Sequence, residues 1–218
     1  MTPFILVLSS PSGGGKTTIA RRLVSTRRDL GYSISATTRG PRNGERHGEH
    51  YYFVPRDEFM RRVNAGAFLE WAEYGGNLYG TLREEIERIH AAGHHAVLDI
   101  DLQGARTLRG NSAAAVEVFV LPPSGASLAD RLVRRNTETA EALRRRLERA
   151  AEEILAAGEY DYVIVNDDLE HAVQQVDAII EAESRRARRL IDLPEKLQEL
   201  RQAVETEAKQ HPAVNAGS

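Results

Sequence analysis

The residues best suited to chemistry lie near the amino terminus, in the stretch SPSGGGKT at positions 10–17. The stretch follows the apolar run at 4–8, and apolar residues then recur at helical spacing, at Ile19, Ala20, Leu23 and Val24. A glycine-rich turn between a strand and a helix can point several backbone N–H groups at one oxyanion. A lysine such as Lys16 can then reach terminal phosphates, and a hydroxyl such as that of Thr17 can bind Mg²⁺. The pattern predicts a phosphate-binding loop.

Ser10 departs from the usual form of this loop, G-x-x-x-x-G-K-[ST], because it replaces the first glycine. A side chain must therefore fit where the loop begins. The alternative, a glycine-rich turn that binds nothing, stays open on these residues alone.

Composition excludes several classes of protein. The chain has 218 residues, of which 41% are hydrophobic and 28% charged, as in a globular protein with one large domain or a core with inserted subdomains. A net charge of −3 argues against nucleic acid as a partner, whereas locally dense arginines at 21–46 and 131–149 favour a local anionic ligand.

The same composition bears on location. Cysteine is absent, which excludes disulfides, thiolate chemistry and cysteine-based zinc sites. The apolar run at 4–8 has no basic region before it, and no stretch approaches the roughly 20 apolar residues of a membrane span. We expect a cytoplasmic protein with no membrane partner.

Strand-like and helix-like segments alternate along the chain. Strands are expected at 4–8, 32–35, 51–54, 68–74, 96–100, 116–121 and 162–165. Helices are expected after the phosphate loop and at 56–65, 82–92, 128–155 with an interruption near 136–139, and 169–190, followed by a short amphipathic segment and a frayed end at 211–218. The arginine-rich run at 185–189 is expected to be a solvated helix face. This alternation predicts an α/β fold with a parallel sheet covered on both faces and ligands at the carboxyl ends of its strands.

A second anion site is expected in the segment between the first strands. Arg39 and Arg42 flank a turn, and Tyr51 and Tyr79 supply phenolic donors. Two guanidinium groups suit a phosphate dianion because each offers paired N–H donors. The alternative, arginines merely solvated on a loop, stays open.

Glu70 stands in an otherwise apolar and aromatic strand, where a carboxylate is costly unless donors meet it. A guanine edge offers N1–H and N2–H₂ to a carboxylate, whereas adenine has an unprotonated N1. Glu70 with Ser35 would therefore select guanine. A solvent-facing glutamate on an edge strand is the alternative.

Seven ordered segments together resemble the guanylate kinase family over about residues 4–182. They lie at 35–45, Gly48, Tyr51, 53–54, 68–71, 79–81 and 98–104. The resemblance implies a P-loop NTPase-type parallel sheet flanked by helices, with an inserted mixed α+β GMP-binding subdomain and a helical lid. By position, the guanylate kinase-like domain would span 1–184, with a core at 1–32, 83–124 and 156–184, the insertion at 33–82 and the lid at 125–155. A helical extension would follow at 185–218.

The resemblance also implies substrates and site residues. ATP would be the phosphoryl donor, and GMP or dGMP the acceptor. It places guanine among Ser35, Glu70, Thr81 and Asp101, and the GMP phosphate among Arg39, Arg42, Tyr51 and Tyr79. It places ATP on Ser12, Gly13, Gly14, Gly15, Lys16, Thr17, Thr18 and Asn166. Thr81 stands where serine is also found in the family and keeps the hydroxyl.

Phosphoryl transfer requires alignment and charge stabilisation more than covalent work. Lys16 and a Mg²⁺ ion held by Thr17 and, partly through water, by Asp99 would neutralise the donor phosphates. The implied catalytic set is Lys16, Arg39, Arg131, Arg135 and Arg146, whereas Arg134, Arg144, Arg145 and Arg149 are expected to be surface charges without a catalytic role.

Other interpretations remain at this point. Asp99 could instead only cap a strand end, and the pair His94-His95 is expected to bind no zinc because no third ligand lies nearby. A non-catalytic scaffold domain and a kinase with a different phosphorylated acceptor are the two competing functions. The sequence leaves the oligomeric state, monomer or homo-oligomer, undetermined.

Overall fold

The computed structural model describes residues 1–111, 115–134 and 140–210. Its central sheet has five parallel strands in the order β2-β7-β1-β8-β9. These strands are β1 (Ile5–Ser9), β2 (Leu30–Tyr32), β7 (His95–Asp99), β8 (Ala115–Leu121) and β9 (Tyr162–Val165). Every residue of β1 is buried, because a central strand covered on both faces needs apolar side chains on both. The predicted parallel α/β fold is confirmed.

Helices cover both faces of this sheet. They are α1 (Lys16–Thr26), α3 (Arg83–Ala91), α4 (Leu102–Asn111) and α7 (Leu169–Ser184). One core contains Leu6, Ile19, Leu23 and Val176, and the opposite core contains Val7, Ile86, Leu98 and Leu108. Alternate residues of β1 thus enter opposite cores, as the pleat of a strand requires.

A second sheet lies between residues 36 and 82, in the order β4-β3-β6-β5. It contains β3 (Ala36–Thr37), β4 (Tyr52–Phe53), β5 (Phe68–Tyr74) and β6 (Asn77–Leu82), and α2 (Arg56–Asn64) packs against it. The strand expected at 32–35 is wrong in its bounds. Ser33 N–H still donates to Val97 O at 3.0 Å, and the chain then crosses from the first sheet to the second before Ala36.

Two helices, α5 (Gly125–Arg134) and α6 (Ala140–Leu155), lie in the segment that was expected to form a lid. They have a small core of their own, in which Leu128 and Leu132 meet Ala150. The interruption expected near 136–139 lies outside the described residues.

The carboxyl-terminal region differs from expectation in two ways. Helix α7 ends at Ser184 rather than near 190, and a short 3₁₀ helix, Ala187–Arg189, follows. Arg189 is not solvated, because its guanidinium pairs with Glu183 at 3.2 Å and lies 4.4 Å from the ring centre of Phe4.

The last helix, α8 (Leu193–Gln210), has no buried residue. The apolar residues of the amphipathic segment expected here, Leu197, Leu200 and Val204, are exposed. The end at 211–218, expected to be frayed, lies outside the described residues. None of the helices in the described part of the chain is long and apolar enough to cross a bilayer.

Candidate functional site

A cavity of about 820 Å³ lies between the phosphate loop, the second sheet and α6. Predicted residues from widely separated segments line it, namely Ser12, Gly13, Gly15, Lys16, Thr17, Ser35, Arg39, Arg42, Tyr51, Glu70, Tyr79, Asp99, Asp101 and Arg146. The loop and α1 follow β1, and Asp99 ends β7, so the carboxyl edge of the central sheet supplies one wall. The second sheet supplies the other.

The phosphate loop has the backbone that its glycines permit. Gly13 and Gly15 have φ angles of +89° and +100°, in the left-handed region that residues with a side chain rarely adopt. Helix α1 begins directly afterwards at Lys16. The end of the loop is therefore the amino terminus of a helix, which favours an anion.

The structure explains how Ser10 fits at the start of this loop. Its side chain is buried, and its hydroxyl donates to Pro11 O at 3.0 Å. A Cβ atom on Gly14 would lie only 2.6 Å from Cβ of Ser10. The serine is therefore accommodated because residue 14 has no side chain.

Lys16 forms an ion pair with Asp99 inside the cavity. Burial by itself would lower the pKa of Lys16, but the adjacent Asp99 carboxylate outweighs that effect and the pKa is raised above 10.5. Tyr32 donates to the other carboxylate oxygen at 3.5 Å. Lys16 is thus held as a cation at the place where donor phosphates are expected.

Arg39 is fixed in place in the cavity, where the acceptor phosphate is expected. Its guanidinium makes two hydrogen bonds of 2.9 Å to the carboxylate of Glu45 and lies 5.3 Å from the ring centre of Tyr51. The Tyr51 and Tyr79 rings are 6.2 Å apart, and Arg42 is exposed at the mouth. The role of Glu45 was missed in the sequence, because pairing across a loop leaves no periodic signal.

Glu70 is only 4% exposed, although β5 is an edge strand. The alternative of a solvent-facing glutamate is therefore wrong. Thr81 donates its hydroxyl to Glu70 Oε1 at 2.6 Å, and Gly104 lies so close that a Cβ atom there would be 2.7 Å from Oε2. Burial raises the pKa of Glu70 to about 7, and the neighbouring Asp101 adds to the rise while the Thr81 hydrogen bonds oppose it.

Helix α6 touches the phosphate loop and the second sheet. Arg146 donates to Ser12 Oγ at 3.1 Å, and Glu153 accepts the Ser12 backbone N–H at 3.1 Å. The Arg149 guanidinium bonds Glu153 at 3.0 Å and lies 4.2 Å from the ring centre of Tyr74 in β5.

Arg149 is exposed, as expected for a surface charge, but it also contacts Glu153 and the ring of Tyr74. Arg145 also lines the cavity, while Arg144 is exposed and pairs with Glu148 on its own helix. The four-residue spacing of Arg149 and Glu153 on a helix was the available signal for their pairing.

Several predicted ligands brace the phosphate loop from outside the cavity. Arg131 donates to Gly14 O at 3.2 Å and to Asn166 O at 3.1 Å, and the Asn166 amide also donates to Gly14 O at 2.9 Å. Thr18 is exposed on the first turn of α1. Arg135 lies outside the described residues.

The donor set in the cavity suits magnesium. Mg²⁺ prefers oxygen ligands, takes one or two from the protein and keeps water or substrate phosphate for the rest. Thr17 and Asp99 line the same cavity and could provide the protein oxygens.

His95 has a structural role. Its Nδ1 accepts the Phe4 backbone N–H at 3.1 Å, and burial lowers the pKa of His95 to about 4. No group of three His, Cys, Asp or Glu side chains suited to a metal occurs within residues 1–111, 115–134 and 140–210.

Comparison with known proteins gives one consistent result. The guanylate kinase family model matches residues 2–183. Guanylate kinase of Geobacter sulfurreducens is 46% identical over 188 residues, which cover 86% of this chain and 93% of that protein. Guanylate kinase of Symbiobacterium thermophilum is 49% identical over 182 residues, or 84% and 86% of the two chains. The crystal structure of guanylate kinase from Anaplasma phagocytophilum superposes with a TM-score of 0.75 at 37% identity and covers 91% of this chain and 95% of that one.

Proposed function

The chain belongs to the guanylate kinase family and is an ATP:GMP phosphotransferase, and we propose that the cavity described above is where it transfers the γ-phosphoryl group of ATP to GMP. One observation carries this assignment of the site. A single cavity has a phosphate loop with Lys16 on one wall, and Arg39, Arg42 and Glu70 on the facing wall. One cavity can therefore hold two anionic groups and a purine base at the same time.

The donor half consists of the phosphate loop and Lys16. Ser12, the glycines at 13–15, Thr17 and Thr18 supply the wall and helix terminus that hold the ATP phosphates, with the Asn166 amide as the proposed adenine contact. Lys16 leaves Asp99 for the β- and γ-phosphates as ATP binds. It then stabilises the negative charge that moves to the leaving ADP as the bond between the γ-phosphorus and its bridging oxygen breaks.

The acceptor half orients GMP. Arg39 and Arg42, with the hydroxyls of Tyr51 and Tyr79, hold the phosphate, whose own oxygen attacks the γ-phosphorus, so no general base is required. The ionised carboxylate of Glu70 accepts the guanine N1–H and N2–H₂, with Ser35, Thr81 and Asp101 around the same edge. Burial of Glu70 beside Thr81 supports this assignment. We propose that dGMP is also accepted, because these contacts are made to the base and the phosphate, which dGMP shares with GMP.

Magnesium is the proposed cofactor, held by Thr17 and, partly through water, by Asp99. When bound, Mg²⁺ would supply neutralisation of the negative charge on the donor phosphates. Asp99 also has a role that does not depend on Mg²⁺, because its carboxylate orients the Lys16 ammonium in the cavity.

The lid is proposed to complete the site. Arg146 contacts the phosphate loop directly at Ser12, and Arg131 and Arg135 are proposed to reach the transferred phosphoryl group once both substrates are present. Closure excludes water and so limits hydrolysis of ATP. The domain bounds given above and the cytoplasmic location stay predictions.

The test is to replace Lys16 by alanine. Lys16→Ala should lower kcat by at least about a thousandfold, since it removes a charge aimed at the transferred group, while the far-UV circular dichroism spectrum stays unchanged. Lys196→Ala, on the exposed face of α8, is the matched control and should behave as the wild type. Near-wild-type ADP formation by Lys16→Ala would contradict the assignment of the donor site.

A further inference from the structure

Glu85 is a buried carboxylate for which the reaction outlined above has no use. It lies on α3, which packs on the central sheet, and is only 4% exposed. Its neighbours Glu84 and Glu87 on the same helix are exposed. A buried carboxylate is costly unless donors surround it, so its partners indicate what it does.

Three residues donate to Glu85, two of them from outside its own helix. Oε2 accepts the backbone N–H of Ile34 at 3.2 Å, and Oε1 accepts the hydroxyl of Tyr52 at 2.9 Å. Arg88, one turn along α3, donates to both oxygens at 3.0 and 3.2 Å. Burial would raise the pKa of Glu85, but these donors outweigh it and the pKa is lowered, so the carboxylate is ionised at neutral pH.

The two partners outside α3, Ile34 and Tyr52, lie next to residues of the proposed acceptor site. Ile34 is in the crossing between the two sheets and directly precedes Ser35. Tyr52 directly follows Tyr51, and its backbone N–H donates to Ser35 O at 2.9 Å. Glu85 therefore ties a helix of the core to the two segments that present Ser35 and Tyr51 to the cavity.

We propose that Glu85 is a positioning residue for the acceptor, which holds the crossing at Ile34 and the strand at Tyr52 in the register that GMP requires. The inference rests on the proposed acceptor site. Glu85 itself contacts no substrate in this proposal. The donor half of the site is not involved, because Ile34 and Tyr52 adjoin Ser35 and Tyr51 on the acceptor side of the cavity. Weakening these hydrogen bonds should therefore lower the affinity for GMP without changing the affinity for ATP.

The experiment compares steady-state KM values for GMP and ATP in the full chain. In Glu85→Ala, Ile34 N–H and the Tyr52 hydroxyl lose their acceptor, so the KM for GMP should rise about tenfold or more while the KM for ATP changes less than about twofold. Glu85→Gln keeps the shape and one acceptor oxygen and should give an intermediate rise. Glu84→Gln is the matched control and should be unchanged.

Tyr52→Phe covers the case in which Glu85→Ala fails to fold, because it removes one donor and leaves the carboxylate paired with Arg88. It should raise the KM for GMP about threefold, with the KM for ATP again unchanged. An unaltered KM for GMP, or parallel losses for both substrates, would overturn the proposal. Absence of GMP-dependent ADP formation in the wild type would instead refute the proposed function, so the two failures are distinguishable.

Discussion

Binding of GMP should release a proton from Glu70 near neutral pH. The pKa of this buried carboxyl in the free enzyme is about 7, and the guanine edge can donate to both carboxyl oxygens only when the group is ionised. The competent fraction is then about one half at pH 7 and one eleventh at pH 6, and the apparent Kd for GMP scales with its inverse. The contribution of Glu70 should weaken GMP binding about tenfold between pH 8 and pH 6.

The assay is isothermal titration calorimetry with GMP at pH 7 in buffers of different ionisation enthalpy. The wild type should release about half a proton more per GMP than Glu70→Gln, which lacks the titrating group but retains every contribution from the nucleotide's own phosphate. Equal proton release by the two proteins would refute the reasoning, because it would mean that Glu70 does not change its protonation when GMP binds.

The same pKa has a consequence for stability, with a definite sign. Because the pKa of Glu70 rises from 4.5 to about 7 on folding, the folded state binds more protons between these values, and stability falls as the pH rises through this window. The full cost above pH 7 is roughly 3 kcal/mol at 1.36 kcal/mol per pKa unit. Glu70→Gln without ligand should therefore gain stability over the wild type at pH 8 relative to pH 5 in urea unfolding.

Two further substitutions test the walls of the cavity. Gly104→Ala places a methyl group 2.7 Å from Glu70 Oε2 and should raise the KM for GMP at least about tenfold without changing the KM for ATP; equal effects on both substrates would count against a base pocket at Glu70. Arg149→Ala removes the contact between α6 and Tyr74 and should lower kcat/KM about two- to fivefold, the value of a partly exposed cation–π contact. Arg144→Ala, which loses only its pairing with Glu148, should be silent, and indistinguishable kinetics for the two variants would show that the contact has no functional role.

Local pattern was sufficient for most of the central sheet. The apolar runs that form β1, β8 and β9 can be recognised without knowledge of their neighbouring strands. In the second sheet, β5 has its predicted bounds because its alternation is strong. Strand β6 was missed. It contains Gly80, and its extended form depends on pairing with β3 and β5, which a local window does not contain. Helix α4 was missed because two glycines, Gly104 and Gly110, weaken its helical pattern.

The site divides in the same way. Lys16, Arg39 and Glu70 could be proposed from their residue types and surroundings. Lys16 follows a glycine-rich loop, Arg39 flanks a turn with Arg42, and Glu70 is a carboxylate in an apolar strand. The family resemblance supplied the other candidate residues. Glu45, Glu85 and Glu153 were not assigned roles. Glu85 and Glu153 accept hydrogen bonds from the distant residues Ile34 and Ser12, and Glu45 pairs with Arg39 across a loop, where no periodic pattern marks the pair. The residues that line the cavity were thus easier to predict than the groups that hold them in place.

The most direct measurement is ADP formation from Mg-ATP with a panel of acceptors, GMP, dGMP, AMP, CMP and UMP. A site that pairs a carboxylate with a guanine edge should use GMP and dGMP, with kcat/KM for the other three lower by at least about a hundredfold, because the wrong base leaves Glu70 unpaired. Comparable turnover of AMP or of either pyrimidine nucleotide would contradict the guanine pocket, and with it the account of this cavity.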